Sequence, residues 1–217
     1  MVTGVETLVE RARELAGGER RKIIGIAGQP GGGKSTLAHT VVAAVGDAAV
    51  LVPMDGFHLA QAELVRLGRR DRMGAPDTFD ALGYIALLRR LRDRTEDVVY
   101  APEFRREIEE PIAGAIAVSR APSLVVTEGN YLLVPDEPWA GVRLLLDECW
   151  YADLEEATRL RWLIQRHVDF GKTPGASEEW VRRSDQANAA VVAATRNRAD
   201  VIVRLPAPSP KGQPASR

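Results

Sequence analysis

The chain has 217 residues, a hydrophobic content of 45% and a formal charge of -1, which suits one domain with a packed core and gives no overall attraction to nucleic acid or anionic membranes. No apolar run approaches the roughly 18 residues of a membrane span, and residues 1–21 lack an apolar signal core. The single cysteine, Cys149, cannot form an internal disulfide and is expected to be a small buried side chain, so we expect a cytoplasmic protein.

Strands and helices are predicted to alternate along the chain. Apolar residues at helical spacing predict a first helix over residues 3–16, followed by a buried strand at 22–27 and a glycine-rich loop. The remaining predicted strands lie at 48–53, 98–100, 115–119, 124–127, within 143–151 and at 200–205. The remaining predicted helices cover 35–45, 60–70, 80–94 and 154–170, with a last helix that is capped by Ser177 and ends near Thr195. This alternation predicts a mostly parallel sheet with helices on both faces, and residues 206–217 predict a disordered tail rich in proline, serine and glycine.

The loop GQPGGGKST at residues 28–36 matches the P-loop pattern Gly-x-x-x-x-Gly-Lys-Ser, with a predicted strand before it and a helix after it. Phosphate oxygens need several converging backbone N–H donors, and side chains would block their approach, so glycine is favoured. Lys34 can reach the β- and γ-phosphates, and the Ser35 hydroxyl can ligate Mg²⁺. We expect this loop to bind a nucleoside triphosphate through Gly28, Gly31, Gly32, Gly33, Lys34, Ser35 and Thr36.

Two acidic residues follow predicted parallel strands, where ligands bind in α/β sheets. Asp55 lies in PMDGFH and could accept the proton of an attacking hydroxyl or lie near Mg²⁺. The alternative for Asp55 is an ordinary Asp-Gly turn. Glu128 ends the run LVVTE and could hold a magnesium-bound water, or it could simply be a solvated strand end.

Arginines in the region 154–176 predict a movable lid over the phosphates. Arg159 and Arg166 are seven residues apart and share a helical face, whereas Arg161 is turned by about 160° from Arg159 and about 140° from Arg166. A lid arginine can neutralise a transferring phosphoryl group, although each of these side chains could also be an ordinary solvated arginine. Arg166, which precedes the Gly171 and Gly175 loop, is the best candidate.

Two other classes of P-loop protein lack their hallmarks in this chain. A guanine-reading GTPase would carry Asn-Lys-x-Asp late in the chain, and a transporter-type ATPase would carry Leu-Ser-Gly-Gly-Gln, and neither segment is present. A kinase is therefore favoured over a switch or motor. A non-transferring nucleotide-binding protein or regulatory NTPase remains the alternative.

Six segments together resemble the superfamily of uridine kinase, phosphoribulokinase and bacterial pantothenate kinase: GQPGGGKST, VPMDGFHL, GAPDTFD, VYAPEFRREIEEP, VTEGNYLL and RLRWLIQRH. Within it the chain looks most like short bacterial nucleoside/nucleotide kinase-like or fructose-transport-system kinase-like proteins. The resemblance covers residues 22–205 and implies an α/β, three-layer P-loop NTPase fold in a single domain over 1–205. Its five parallel strands would follow the order 2-3-1-4-5, with a lid at 154–176 and an accessory strand pair near residues 98 and 115.

The resemblance also implies roles for individual residues. Asp55 matches the general base, Lys34 and Arg166 match the groups that contact the β- and γ-phosphates, and Asp55, Ser35 and Glu128 match the magnesium neighbourhood. Arg198 and the backbone near Leu205 lie where such proteins place adenine. ATP and Mg²⁺ are the implied cofactors.

The acceptor pocket of the implied kinase would hold a small molecule. Its expected lining is Asp55, His58, Asp80, Tyr100, Arg105, Arg106, Asn130 and Tyr131. His58 could bond an acceptor hydroxyl or only pack, and Arg105 or Arg106 could meet an acidic group or pair with nearby glutamates. A sugar such as fructose, a nucleoside such as uridine, and pantothenate all stay open as acceptors, and homodimers are common among the proteins it resembles. Four tryptophans are expected to serve packing only: Trp139, Trp150, Trp162 and Trp180.

Overall fold

A computed structural model describes residues 2–205, and the predicted tail at 206–217 lies outside the described residues. The strands are β1 (Val2–Thr3), β2 (Lys22–Ala27), β3 (Ala49–Leu51), β4 (Val98–Arg105), β5 (Glu110–Ser119), β6 (Leu124–Gly129), β7 (Glu148–Asp153) and β8 (Val201–Arg204). The α-helices are α1 (Val5–Ala16), α2 (Lys34–Val45), α3 (Gln61–Arg66), α4 (Ala81–Asp93), α5 (Ala140–Arg143), α6 (Glu156–Asp169), α7 (Pro174–Trp180) and α8 (Gln186–Ala193).

The main sheet is parallel and confirms the expected five-strand order. Its strands run β1-β8-β7-β2-β6-β3, so the predicted order 2-3-1-4-5 is found as β3-β6-β2-β7-β8. A sixth strand, β1, was not predicted, because two residues carry no periodicity. Since β1 pairs with β8, the first helix begins at Val5 rather than at residue 3.

Two hydrophobic cores flank the sheet, because alternate residues of each strand face opposite sides. In β2, Ile24 and Ile26 pack with α1 and α2, whereas Ile23 and Ala27 belong to the core formed with α4. Cys149 is fully buried as expected, and burial raises the pKa of its thiol to about 12. The central strands are therefore covered on both faces, and the ligand-binding groups are left to the loops at the strand ends.

An antiparallel hairpin of β4 and β5 projects from the sheet. It is longer than the predicted strand pair, because the charged segment that connects the two predicted strands continues their pairing as far as Arg105 and Glu110. Charged residues do not end these strands, since the hairpin leaves most of its side chains partly exposed. In the middle of β4, at the pairing irregularity between Ala101 and Glu103, Pro102 packs against Gly56 in the 3₁₀ turn Met54–Phe57 that carries Asp55.

The predicted lid, residues 154–176, contains α6 and the start of α7, which is followed by a π-helical turn at Val181–Asp185 and by α8. The predicted cap at Ser177 is wrong. Thr173 caps α7 by accepting a hydrogen bond from the Ala176 N–H at 3.3 Å, and Pro174 occupies the first turn, where its missing N–H costs nothing. Ser177 is buried inside the helix. Among residues 2–205 no helix combines the length and apolarity that crossing a bilayer requires.

Replacing Gly56 by alanine is expected to lower the free energy of unfolding by about 1–3 kcal/mol. An added methyl group would collide with the backbone carbonyl of Pro102, so the hairpin or the Asp55 turn would have to shift. Chemical denaturation measures the change. Gly175→Ala in α7 is the matched control, because a methyl group there meets no atom within 4 Å and alanine favours a helix. Equal stability of the two variants would contradict this packing.

Candidate active site

The loop between β2 and α2 has the backbone of a phosphate cradle. Gly31 and Gly33 have φ angles of 74° and 81°, in the left-handed region that favours glycine. A Cβ on Gly33 would lie 2.6 Å from Leu205 Cδ1, and one on Gly31 would lie 3.0 Å from the Arg159 carbonyl oxygen. The loop is thus held from behind by the end of the sheet and by α6, and its N–H groups lead into the positive end of α2.

Lys34, the first residue of α2, is buried beneath this loop with 8% of its surface exposed. Its Nζ donates to the Gln29 carbonyl oxygen at 3.1 Å, and the ammonium has no other hydrogen-bond partner among the described residues. Burial lowers the pKa of Lys34, while the Glu128 and Asp55 carboxylates act to raise it. Two N–H donors of a buried ammonium are therefore left for an anion.

Ser35 and Glu128 join α2 to the end of β6. The Ser35 hydroxyl donates to Glu128 Oε1 at 2.8 Å. Burial, followed by the nearby Asp55 carboxylate, raises the pKa of Glu128 against the opposing effects of Lys34 and the Ser35 hydroxyl. These hard oxygen atoms suit Mg²⁺. Within residues 2–205 no three His, Cys, Asp or Glu side chains are grouped to hold a metal, so phosphate and water oxygens would have to complete the shell, as is usual for Mg²⁺.

Asp55 lies across the cavity from the phosphate loop. Its Oδ2 accepts a hydrogen bond from Arg106 at 3.1 Å. Burial acts to raise the pKa of Asp55, but His58, followed by Arg106, Lys34 and Arg166, lowers it below its ordinary value. The carboxylate is therefore ionised at neutral pH and can accept a hydrogen bond from a hydroxyl.

His58 follows Asp55 by three residues, and its ring lies between Phe79 and Phe104 at centroid distances of 4.0 and 4.5 Å. Its Nδ1 is 2.7 Å from the Asp55 carbonyl oxygen. A carbonyl can only accept, so Nδ1 carries the proton and Nε2 of the neutral ring is an acceptor. Burial lowers the pKa of His58 more than the Asp55 carboxylate raises it, which favours this neutral form.

The three lid arginines have three different environments. Arg159 is 1% exposed and donates to the Pro30 carbonyl oxygen, to Glu156 and to Gln186, so it fastens α6 to the phosphate loop. Arg161 points elsewhere and donates to the Thr158 hydroxyl. Arg166 forms no salt bridge or side-chain hydrogen bond within the described part of the chain, and it reaches the cavity.

A cavity of about 130 Å³ lies between Asp55, the lid and the hairpin. A second, more open pocket runs along the outside of the phosphate loop. Four side chains line both: Lys34, Ser35, Arg106 and Arg166. A phosphoryl group held by these four residues would face both a nucleotide in the open pocket and a small molecule in the cavity.

Several residues that sequence reasoning assigned to the acceptor lie outside the cavity. Asp80 is exposed and caps α4 by accepting from the Gly83 N–H at 2.8 Å. Tyr100 is 59% exposed on the hairpin, and Arg105 pairs with Glu103 at 3.3 Å. Arg198, which was expected near adenine rather than the acceptor, is exposed in a 3₁₀ turn at Arg196–Arg198 and lines neither pocket.

Two residues of the turn after β6, Asn130 and Tyr131, were expected to line the acceptor pocket, and one of them does. Asn130 lines the cavity. Tyr131 is fully buried and donates its hydroxyl to the Gly74 carbonyl oxygen, so it supports the loop that contains Gly74.

Two tryptophans are placed at the pockets rather than only in the core. Trp139 and Trp150 are buried as expected. Trp162 lines the pocket outside the phosphate loop, and Trp180 lines the cavity with Lys172 5.2 Å above its ring. Sequence reasoning had no signal for these positions, because a tryptophan at helical spacing is as compatible with a core as with a pocket.

The cavity also contains polar residues that sequence reasoning did not select. They come from the loop before α4, the hairpin turn and the lid: Arg70, Glu109, His167, Lys172, Asp185 and Asn188. Glu109 and His167 lie within segments that carry the family resemblance, but neither was assigned to the acceptor, and tertiary packing brings all six residues together.

Comparisons with known proteins agree with this geometry. The family model described as "Phosphoribulokinase / Uridine kinase family" matches residues 23–208. A Schizosaccharomyces pombe protein named "Putative uridine kinase C227.14" is 34% identical over 194 residues, covering 85% of this chain and 82% of that protein. A pantothenate kinase of Clavibacter michiganensis is 30% identical over 77% of this chain and 55% of its own length. A crystal structure from Silicibacter sp. TM1040, described as a "putative fructose transport system kinase", has a TM-score of 0.82 and 33% identity and covers 92% of this chain and 98% of that one.

The substitution Arg106→Ala is expected to raise the pKa of the Asp55 carboxyl, because it removes a guanidinium that stabilises the ionised form. Carboxyl-detected NMR titration of the protein without nucleotide or metal measures the change. Arg105→Ala is the matched control, since the neighbouring side chain pairs with Glu103 outside the cavity. An unchanged Asp55 pKa in Arg106→Ala would show that this ion pair does not hold the carboxylate.

Proposed function

The chain belongs to the phosphoribulokinase and uridine kinase family of P-loop kinases, and from this premise we propose that it transfers the γ-phosphate of ATP to a hydroxyl of a small metabolite, with Mg²⁺. One observation carries the proposal. Lys34, Ser35, Arg106 and Arg166 line both the pocket along the phosphate loop and the cavity that contains Asp55. A group bound by these four side chains can pass from one compartment to the other without crossing solvent.

The phosphate loop supplies the nucleotide end of the reaction. Its backbone N–H groups, the N-terminus of α2 and the two unused Lys34 donors converge on the position of a β- or γ-phosphate. Mg²⁺, when bound beside Ser35 and Glu128, would neutralise charge on the phosphate oxygens. Lys34 is rigidly positioned because its stem is buried, so little reorganisation is needed as charge develops.

Asp55 is the residue that acts on the acceptor. In this proposal its carboxylate orients the attacking hydroxyl and takes its proton as the new O–P bond forms. Its lowered pKa makes it a weak base, which suits phosphoryl transfer, where most of the rate comes from positioning and charge stabilisation. The hydrogen bond from Arg106 fixes one carboxylate oxygen and so directs the other.

Arg166 supplies positive charge from the lid. It has no carboxylate partner among the described residues, so its charge is free to meet a phosphoryl oxygen. Arg159 holds the same helix against Pro30, which keeps the lid and the phosphate loop in register. A closed lid also keeps water away from the γ-phosphate.

Product stoichiometry distinguishes transfer from hydrolysis. With purified protein, ATP and Mg²⁺, a panel of sugars, polyols, nucleosides and hydroxy acids is screened for ADP and for a phosphorylated product by mass spectrometry. A kinase forms the two in equal amounts and forms little ADP without an acceptor. Release of inorganic phosphate at the same rate with or without every acceptor would favour a regulatory NTPase and overturn the proposal.

Asp55→Asn is expected to lower kcat by about 10² to 10⁴, because the amide cannot accept the proton. The affinity for ATP, measured by isothermal titration calorimetry, should change much less. Asp97→Asn, at a side chain that is 94% exposed, is the matched control and should retain full activity. Normal turnover by Asp55→Asn would remove the base from the mechanism.

Arg166→Met is expected to lower kcat by about 10³ or more while the protein stays folded, since this arginine has no partner in the described chain whose loss would destabilise it. Arg161→Met on the same helix is the control, because that side chain donates only to Thr158. Equal losses in the two variants, measured by initial rates at saturating ATP, would argue against a specific role for Arg166.

A further inference from the structure

The cations of the cavity are almost all neutralised by the protein itself. Among those that line it, only Lys34 and Arg166 lack a carboxylate within salt-bridge distance in the described chain. The other three cations share two carboxylates: Arg106 is 3.1 Å from Asp55, and Glu109 is 2.7 Å from Arg70 and 3.6 Å from Lys172. Lys34 and Arg166 serve the transferred phosphoryl group in the proposed function. The rest of the lining carries these three cations against four carboxylates, Asp55, Glu109, Glu128 and Asp185, so no net positive charge is left for a second anionic group on the acceptor.

Uncharged hydrogen-bonding groups in the cavity, by contrast, are available. Asn188 is 6% exposed, and its side-chain amide has no hydrogen-bond partner among residues 2–205. No fully enclosed side-chain nitrogen or oxygen of the described chain lacks a partner, so the Asn188 amide must reach the open cavity that it lines. His58 Nε2 likewise has no partner there, because Nδ1 makes the bond to the Asp55 carbonyl.

The π-helical turn at Val181–Asp185 explains why Asn188 faces the cavity. In a regular α-helix, at about 100° per residue, Asp185 would be turned about 140° away from Trp180. The π turn pairs residues five apart and returns Asp185 to the same side, where both residues line the cavity. Asn188 follows Asp185 by three residues and shares this face. Such turns are often found at functional sites. This one brings the Asn188 amide to the cavity wall together with the Asp185 carboxylate, whose Oδ2 lies 2.8 Å from His167 Nε2.

We propose that the acceptor is an uncharged polyhydroxylated molecule, and that Asn188 and His58 select it by hydrogen bonds to hydroxyl groups other than the one that reacts. The inference rests on the proposed function. Asn188 can both donate and accept, and His58 Nε2 accepts, so the pair fits hydroxyl groups, which do both. A phosphorylated sugar or a carboxylic acid would instead bring an unpaired negative charge beside Asp185 and Glu109, and burying such a charge is costly.

Matched acceptors test the charge selectivity. Neutral sugars, polyols and nucleosides are compared with sugar phosphates, sugar acids and pantothenate, and kcat/KM is measured from phosphorylated product. Neutral acceptors should exceed their anionic counterparts by at least about tenfold. Preference for an anionic acceptor would overturn this inference and leave the kinase function standing. Phosphate release without any phosphorylated product would overturn the proposed function and this inference together.

Asn188→Ala tests the assigned contact. With the best neutral acceptor, its KM should rise by about 3- to 10-fold, while the KM for ATP stays unchanged. Asn197→Ala, at an exposed asparagine, is the matched control. Deoxy analogues of the acceptor distinguish a direct contact from a structural effect. The analogue that lacks the hydroxyl bound by Asn188 should have a higher KM than the parent acceptor with the wild type, but the same KM as the parent acceptor with Asn188→Ala. If every deoxy analogue raises KM by the same factor in the wild type and in Asn188→Ala, Asn188 does not bind the acceptor.

Discussion

The parallel pairing of β2 with β6 is the constraint on which the rest of the site depends. Six residues of each strand are in register, from Lys22 opposite Leu124 to Ala27 opposite Gly129. This pairing ends the two strands at the same level, so the phosphate loop after β2 lies beside Glu128 and the Ser35–Glu128 hydrogen bond can form. β3 pairs with β6 on its other side and delivers Asp55 to the same edge. A buried parallel sheet thus brings distant chain segments into one pocket.

Charge balance is the second organising principle. The site buries carboxylates and cations together, and each is tolerable only because the others are close. Arg106 offsets Asp55, and Lys34 lies near both Asp55 and Glu128, while Arg166 has no carboxylate partner within residues 2–205. Such an arrangement contributes little to the free energy of folding, because the cost of desolvating the charges offsets much of their attraction. It is better understood as a site prepared for the added negative charge of a triphosphate, which would complete the balance.

Local sequence signals predicted the fold and the phosphate loop well. The glycine pattern of residues 28–36, the apolar strands and the likeness to known kinases predicted the five-strand order, which the structure confirms. The same signals predicted that Lys34, Ser35, Asp55 and Glu128 lie in one site, because each follows or ends a strand. Asp80 was misjudged for a comparable local reason: its position before an apolar helix is also that of an N-cap, and the side chain caps α4. The acceptor side, including Asn188, could not be predicted, because a π-helical turn and lid packing leave no periodic trace in the sequence.

A structure with a non-hydrolysable ATP analogue, Mg²⁺ and an accepted small molecule would show directly whether Asp55 and the phosphate loop hold the two reacting groups together. The decisive quantities are the distances from the acceptor oxygen to the γ-phosphorus and to the Asp55 carboxylate. We expect the acceptor hydroxyl oxygen to lie in line with the γ-phosphorus at about 3–3.5 Å and within about 2.6–3.2 Å of the Asp55 carboxylate. A γ-phosphate held by Lys34 with the acceptor hydroxyl directed away from Asp55 would contradict it.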